Sequence, residues 1–235
     1  MTNRSSQLYI ALIIIITIIT INACVQQSTE KKTIKKDNKA AELLRKQFAG
    51  KIETRGKKKL SEYDFFTGKI SDMNPSDGII PYDLNTPLFS DYAHKARFIK
   101  VTRNEKIDYQ ESDVLKMPVG TFLIKTFYYT KDMRKPKGNR RLIETRVMEH
   151  KSEGWTTLTY IWNDEETDAF LEIAGKTVPI SFINKKGEKI AFDYSVPTQI
   201  QCKSCHIKND KISPIGPSVH QLNRQHEYTE GSENQ

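Results

Sequence analysis

The chain is short of cysteine. Its 235 residues hold three, Cys24, Cys202 and Cys205, too few for a disulfide-stapled scaffold. Methionine runs out early as well: there are five, and none follows His206. Long apolar runs are scarce. The one clear run, Leu8 to Ile21, is too short to cross a bilayer comfortably. With 37% hydrophobic and 28% charged residues, the rest reads as a soluble globular chain rather than a bundle of membrane helices. No internal repeat stands out. Neither does a paired-carboxylate, Ser-His-Asp or phosphate-loop constellation. Acidic residues are the minority, 29 against 37 Lys and Arg, which gives a net charge of +8.

What is present begins with an address. Arg4 precedes the apolar run, as in a signal peptide, and the run ends in Ile21-Asn22-Ala23-Cys24. That ending resembles a bacterial lipobox, so residues 1–23 are expected to be removed and Cys24 to carry lipid. An uncleaved anchor and an ordinary secretory signal are the alternatives. Val25 rather than Asp after the cysteine favours the periplasmic face of the outer membrane in a Gram-negative cell. Cleavage removes only Arg4 among the charged residues and leaves +7. For an exported lipoprotein that charge suits an acidic redox partner or anionic lipid, not nucleic acid, unless it is simply a solvated lysine-rich surface.

Near the other end stands Cys202-Lys203-Ser204-Cys205-His206. Two thiols three apart, with an imidazole directly after the second, form the attachment pattern for haem c. Each thiol adds across one vinyl group, and the histidine falls under the ring as proximal iron ligand. A redox dithiol, a disulfide, or half a zinc site completed by His220 and His226 use the same pair. Export favours haem c, which is attached after export. Cys24 for lipid and Cys202 with Cys205 for haem account for all three cysteines.

Residues 24–58 read as a lysine-rich tether with one short helix, capped by Asn38, carrying Ala41, Leu44 and Phe48 on one face and ended by Gly50. Residues 59–198 read as a mainly β domain. A turn-rich, aromatic loop, Pro81 to Ala93, is expected to be ordered and packed. Strands are expected over Arg97–Val101, Thr121–Tyr129, Leu142–Met148 and Trp155–Trp162. A hairpin of Val178–Ile183 and Lys189–Tyr194 closes through Asn184-Lys185-Lys186-Gly187. This spacing predicts an antiparallel β-sandwich or barrel, with one helix over Asp164–Gly175. Residues 199–235 form the haem segment, short and mostly helix and loop.

A proximal histidine needs an acceptor for its other ring nitrogen. The turn Pro214-Ile215-Gly216-Pro217 is expected to offer the Pro217 carbonyl. For the sixth ligand the tail offers His220 and His226, and the β domain offers Met73, Met117, Met133, Met148, His94 and His150. A five-coordinate iron is the other option. Only 34 residues run from Cys202 to Gln235, too few to wrap a macrocycle, so the β domain or another chain is expected to cover it.

From about Leu60 to Gln235 the chain resembles a bacterial family of exported di-haem c-type cytochromes. The resemblance rests on the stretch Ile80 to Ala93, on Pro118-Val119-Gly120-Thr121 with Ile124-Lys125-Thr126-Phe127, and on Ile143-Glu144-Thr145-Arg146. It continues through Gly154-Trp155 with Tyr160-Ile161-Trp162-Asn163, Cys202 to His206, Pro214 to Pro217, and Leu222-Asn223-Arg224. It implies haem binding and electron transfer. Family members continue into a second segment with another CxxCH, so this chain resembles their N-terminal half, from a split or a truncated gene; in the first case a separate chain would carry the second haem. His220 stands where that family is expected to have arginine. The sequence thus reads as a lipid-anchored electron carrier with redox partners in the periplasm. A peroxidase-like oxidoreductase and a non-catalytic binding lipoprotein are the competing classes.

Overall fold

The computed structural model describes residues 56–135, 139–228 and 231–235. The leader, Cys24, the short helix after Asn38 and most of the tether lie outside the described residues.

A small ribbon of β1 (Phe66–Thr67) and β2 (Asn74–Pro75) precedes one six-stranded antiparallel sheet. Its strands follow chain order: β3 (Ile79–Tyr82), β4 (His94–Lys100), β5 (Phe122–Thr130), β6 (Arg140–Lys151), β7 (Gly154–Trp162) and β8 (Ala169–Leu171). A hairpin of β9 (Lys176–Ile183) and β10 (Lys189–Val196) forms a second layer. The expected antiparallel, mainly β domain is present. Its large sheet stays open, with β3 and β8 at the edges, and does not close into a barrel.

Side chains alternate between faces along a strand, so β5 contributes to both. Phe122, Ile124 and Tyr128 join Phe98, Val147, Leu158, Tyr160 and Trp162 on one face, which Leu60, Tyr63, Phe65 and Met73 cover. The other face is divided. At one end Phe127, Tyr129, Ile143 and Ile161 pack against Val178, Ile180, Phe182, Tyr194 and Val196 of the hairpin. At the other end Leu123, Met148 and Met117 form a smaller cluster with Trp155 and Ile212. A register shift between Phe127 and Tyr128 leaves Ile143 as an extra residue in β6. This bulge lets Ile143 reach the hairpin although Glu144 beside it faces the same way.

The helix expected over Asp164–Gly175 is absent, and β8 stands there instead. The side-chain oxygen of Asn163 accepts from the amides of Thr167 and Asp168 at 2.9 and 3.2 Å, which fixes a turn, and Glu166 adopts a φ of 52°. Ala169, Leu171 and Ile173 then recur every second residue, a strand period rather than a helical one.

Candidate haem-attachment site

After β10 the chain enters a helix, α1 (Gln199–His206). Its start is a capping box: Thr198 Oγ1 accepts from the Gln201 amide at 3.2 Å, and Gln201 Oε1 accepts from the Thr198 amide at 2.8 Å. The helix is tied to the sheet by Gln199, whose side chain donates to the Thr157 carbonyl at 3.0 Å. One turn on, the Cys202 sulfur lies 3.9 Å from Thr159 Oγ1 of β7. Cys205 is exposed, and both thiols are free. Residues three apart share a helical face, so the two sulfurs and the imidazole that follows belong to one short stretch of surface.

His206 ends the helix, and the next six residues make a hairpin that the sequence reading missed. β11 (Ile207–Lys208) pairs with β12 (Lys211–Ile212) across Asn209 and Asp210, whose φ values of 51° and 60° form a two-residue hairpin turn. The hairpin returns Ser213 to His206. The Ser213 amide donates to the His206 carbonyl at 2.7 Å, and Nδ1 of His206 lies 3.0 Å from the Ser213 carbonyl. A carbonyl only accepts, so Nδ1 carries the proton and Nε2 keeps its lone pair. Nε2 has no partner among the described residues. Burial pushes the His206 pKa down; the Ser213 carbonyl opposes this, and Lys125 and Arg146 add to it. Burial likewise pushes the Cys202 thiol up.

The expected acceptor, Pro217, is corrected to Ser213. The Pro217 carbonyl accepts from the Leu115 amide at 2.8 Å, and the hairpin brings Ser213 to the ring first. His220 is exposed on α2 (Val219–Leu222), where its backbone carbonyl accepts from Asn85 Nδ2 at 2.8 Å. His226 lies against Tyr228 with ring centres 4.7 Å apart and the planes tilted by 60°, in the closing ribbon of β13 (Gln225–Tyr228) and β14 (Gly231–Asn234). Among the described residues no three His, Cys, Asp or Glu side chains gather as a metal cage, so the zinc alternative has no assembled ligand set. His94 stacks on Tyr128, and His150 stacks on Trp155 with Nδ1 at 2.9 Å from the Met117 carbonyl. Met73, Met117 and Met148 are buried in cores, and Met133 packs partly buried against the hairpin core.

The loop from Pro81 to Ala93, expected to be packed, is instead anchored by hydrogen bonds and ion pairs, and its large side chains Leu88, Phe89 and Tyr92 are exposed. Asp83 pairs with Arg97 at 2.7 Å and with Arg224 at 3.5 Å. The Asn85 amide donates to the Gln221 carbonyl, and Arg224 donates to the Leu84 carbonyl. The loop thereby ties the C-terminal segment to the sheet. Ile200, Ile207 and Ile215, in residues 199–235, are exposed as well.

Between the two clusters of the divided face the sheet presents charge. Arg97 pairs across β4 and β5 with Lys125, Lys125 pairs across β5 and β6 with Arg146, and Arg146 pairs with Thr159. One cross-strand row therefore carries three cations and ends at the hydroxyl that touches Cys202. Glu144, fully buried, accepts two hydrogen bonds from Arg146, at 2.9 and 2.6 Å, and one from the Tyr194 hydroxyl at 2.7 Å. Lys95 Nζ donates to the Leu88 carbonyl at 2.6 Å. Lys125 has only the Phe127 ring, its Nζ 5.2 Å from the centroid, and no hydrogen-bond or ion-pair partner among the described residues. Burial, with Arg146 and Arg97 adding to it, pulls its pKa down to about 8. The sequence reading assigned no role to Lys125 and Arg146. Their signal was charge at positions where the period of two calls for apolar residues.

Compared with protein-family models, curated proteins and solved structures, the chain matches none.

Proposed function

We propose that this chain is an exported, lipid-anchored c-type cytochrome that carries electrons. One observation carries the reading. Two free thiols a helical turn apart precede an imidazole whose Nδ1 is committed to Ser213 and whose Nε2 is free. That donor set fits haem c, with Cys202 and Cys205 as thioether attachment points and His206 as proximal ligand. A haem there would supply one-electron Fe(III)/Fe(II) chemistry. The chain's own residues do the positioning. Thr198 and Gln201 hold the start of the helix, Thr159 backs the first sulfur, and the Ser213 carbonyl fixes the ring and raises its basicity as a ligand. Export and lipidation at Cys24 rest on the leader sequence alone.

The test is expression with its own leader beside a cytochrome c maturation system. A haem-stained band on a denaturing gel, lost in Cys202→Ala and in Cys205→Ala, is the expected result. A wild-type chain that stays bare while a control cytochrome matures would end the proposal. A low-spin, six-coordinate spectrum is expected of a carrier. A high-spin spectrum with peroxide turnover would move the reading to a peroxidase-like enzyme.

A further inference from the structure

Three cations directly abreast on one sheet face oppose the usual preference of cross-strand pairs, in which like charges are destabilising. Two of the three are answered within the chain, Arg97 by Asp83 and Arg146 by Glu144. The middle one has no such partner among the described residues, although Lys125 lies half-buried between them. A lysine so placed stabilises the fold poorly by itself. An anion brought to it would complete the row. The row leads through Arg146 and Thr159 to Cys202, and Lys125 and Arg146 act on both Cys202 and His206.

We propose that Lys125 is the seat of a carboxylate arm of the haem bound at Cys202, Cys205 and His206, forming an ion pair with one propionate beside the Arg146–Glu144 pair. This rests on the haem reading and adds the group that orients the macrocycle on the sheet. Every cation packed near this position is accounted for. Arg97 and Arg146 have carboxylates, Lys95 has backbone carbonyls, and Lys125 has no such partner among the described residues. The groups facing it are Arg97, Arg146, Glu144 and Lys95.

Zero-length coupling with a water-soluble carbodiimide tests the contact on the mature, haem-bearing protein. The reagent activates a carboxyl, the neighbouring amine displaces the urea, and an amide forms with loss of a proton. Digestion and mass spectrometry should find the Cys202–His206 haem peptide joined to the peptide containing Lys125. The exposed pair Lys208–Asp113, 2.6 Å apart, is the internal control for coupling. Haem-bearing protein in which the control couples and Lys125 does not would overturn the proposal and leave the haem reading intact. Wild-type protein without covalent haem would overturn both.

Potentiometry gives a second readout. Lys125→Gln should favour the ferric state by about tenfold, a fall of about 59 mV in midpoint potential, while Lys125→Arg stays near wild type. Loss of a low-spin spectrum in both variants would make Lys125 an iron ligand instead and overturn the carboxylate seat. If Lys125→Gln does not accumulate, the coupling on the wild-type protein decides.

Discussion

The Tyr194 hydroxyl, on the hairpin layer, donates to the Glu144 carboxylate on the sheet at 2.7 Å, and the same oxygen accepts from Arg146 at 2.6 Å. Glu144 thus joins the two layers and neutralises the cation next to the helix that carries Cys202 and Cys205. Replacing it leaves Arg146 without its counter-charge. Glu144→Gln should cost about 3 kcal/mol, and Tyr194→Phe, which removes one hydrogen bond, about 1 kcal/mol. Urea melts of the two variants should separate them in that order; equal losses would contradict the central place of the carboxylate.

Lys125 titrates with a pKa of about 8, below its ordinary value near 10.5. The native state therefore holds fewer protons on Lys125 than the unfolded state between about pH 8 and 10.5. Its contribution to stability rises with pH across that window. Below pH 8 the full penalty of keeping the charge is present. Apoprotein carrying Lys125→Met should be more stable than wild type at pH 7, and the difference should shrink toward pH 10.5. Denaturant melts of both chains at pH 7, 9 and 10.5 read this directly. A pH-independent difference would show that the ammonium is not penalised.

The turn that returns Ser213 to His206 demands positive φ at Asn209 and Asp210. Asp210→Gly suits that turn and should be neutral or mildly stabilising. Asp210→Val, β-branched at a left-handed position, should cost about 1–3 kcal/mol. It should also loosen the imidazole, seen as a shift in midpoint potential of the haem-bearing protein. An unchanged potential would mean that Ser213 holds the ring without help from the hairpin.

Gly175 backs onto Thr198 at the start of α1 with a φ of 73°, and a Cβ there would lie 2.7 Å from the Val196 carbonyl oxygen. Gly175→Ala combines that clash with a left-handed backbone. It should destabilise the domain by about 2 kcal/mol. A thermal melt within a degree of wild type would show that the backbone yields at no cost.

Much of the β domain was legible because its long strands are rich in β-branched and aromatic residues. The β9–β10 hairpin follows from its two alternating runs and from Gly187, which takes a φ of 88°. The placing of Cys202, Cys205 and His206 on one short stretch was legible from their fixed spacing. Two kinds of feature were not. β11 and β12 are two residues each, with lysines in both and an Asn-Asp turn between, so no periodicity announces them. That hid Ser213 and left Pro217 as the expected acceptor. The row of Arg97, Lys125 and Arg146 depends on strand register, which joins residues far apart in the chain and has no local signature. Asp164–Gly175 was misread because a side-chain-locked turn and a three-residue strand together have the length of a helix.

The two outer strands of the large sheet carry one more consequence. β3 contains Pro81, which has no amide hydrogen to give a newcomer. β8 is three residues long, and Lys59 already bridges to its middle residue, Phe170. Both margins therefore resist extension by an added ribbon. Any protein that docks on this sheet would therefore be recognised by side chains rather than by strand pairing, and such docking can be brief and reversible without risk of the chains knitting together.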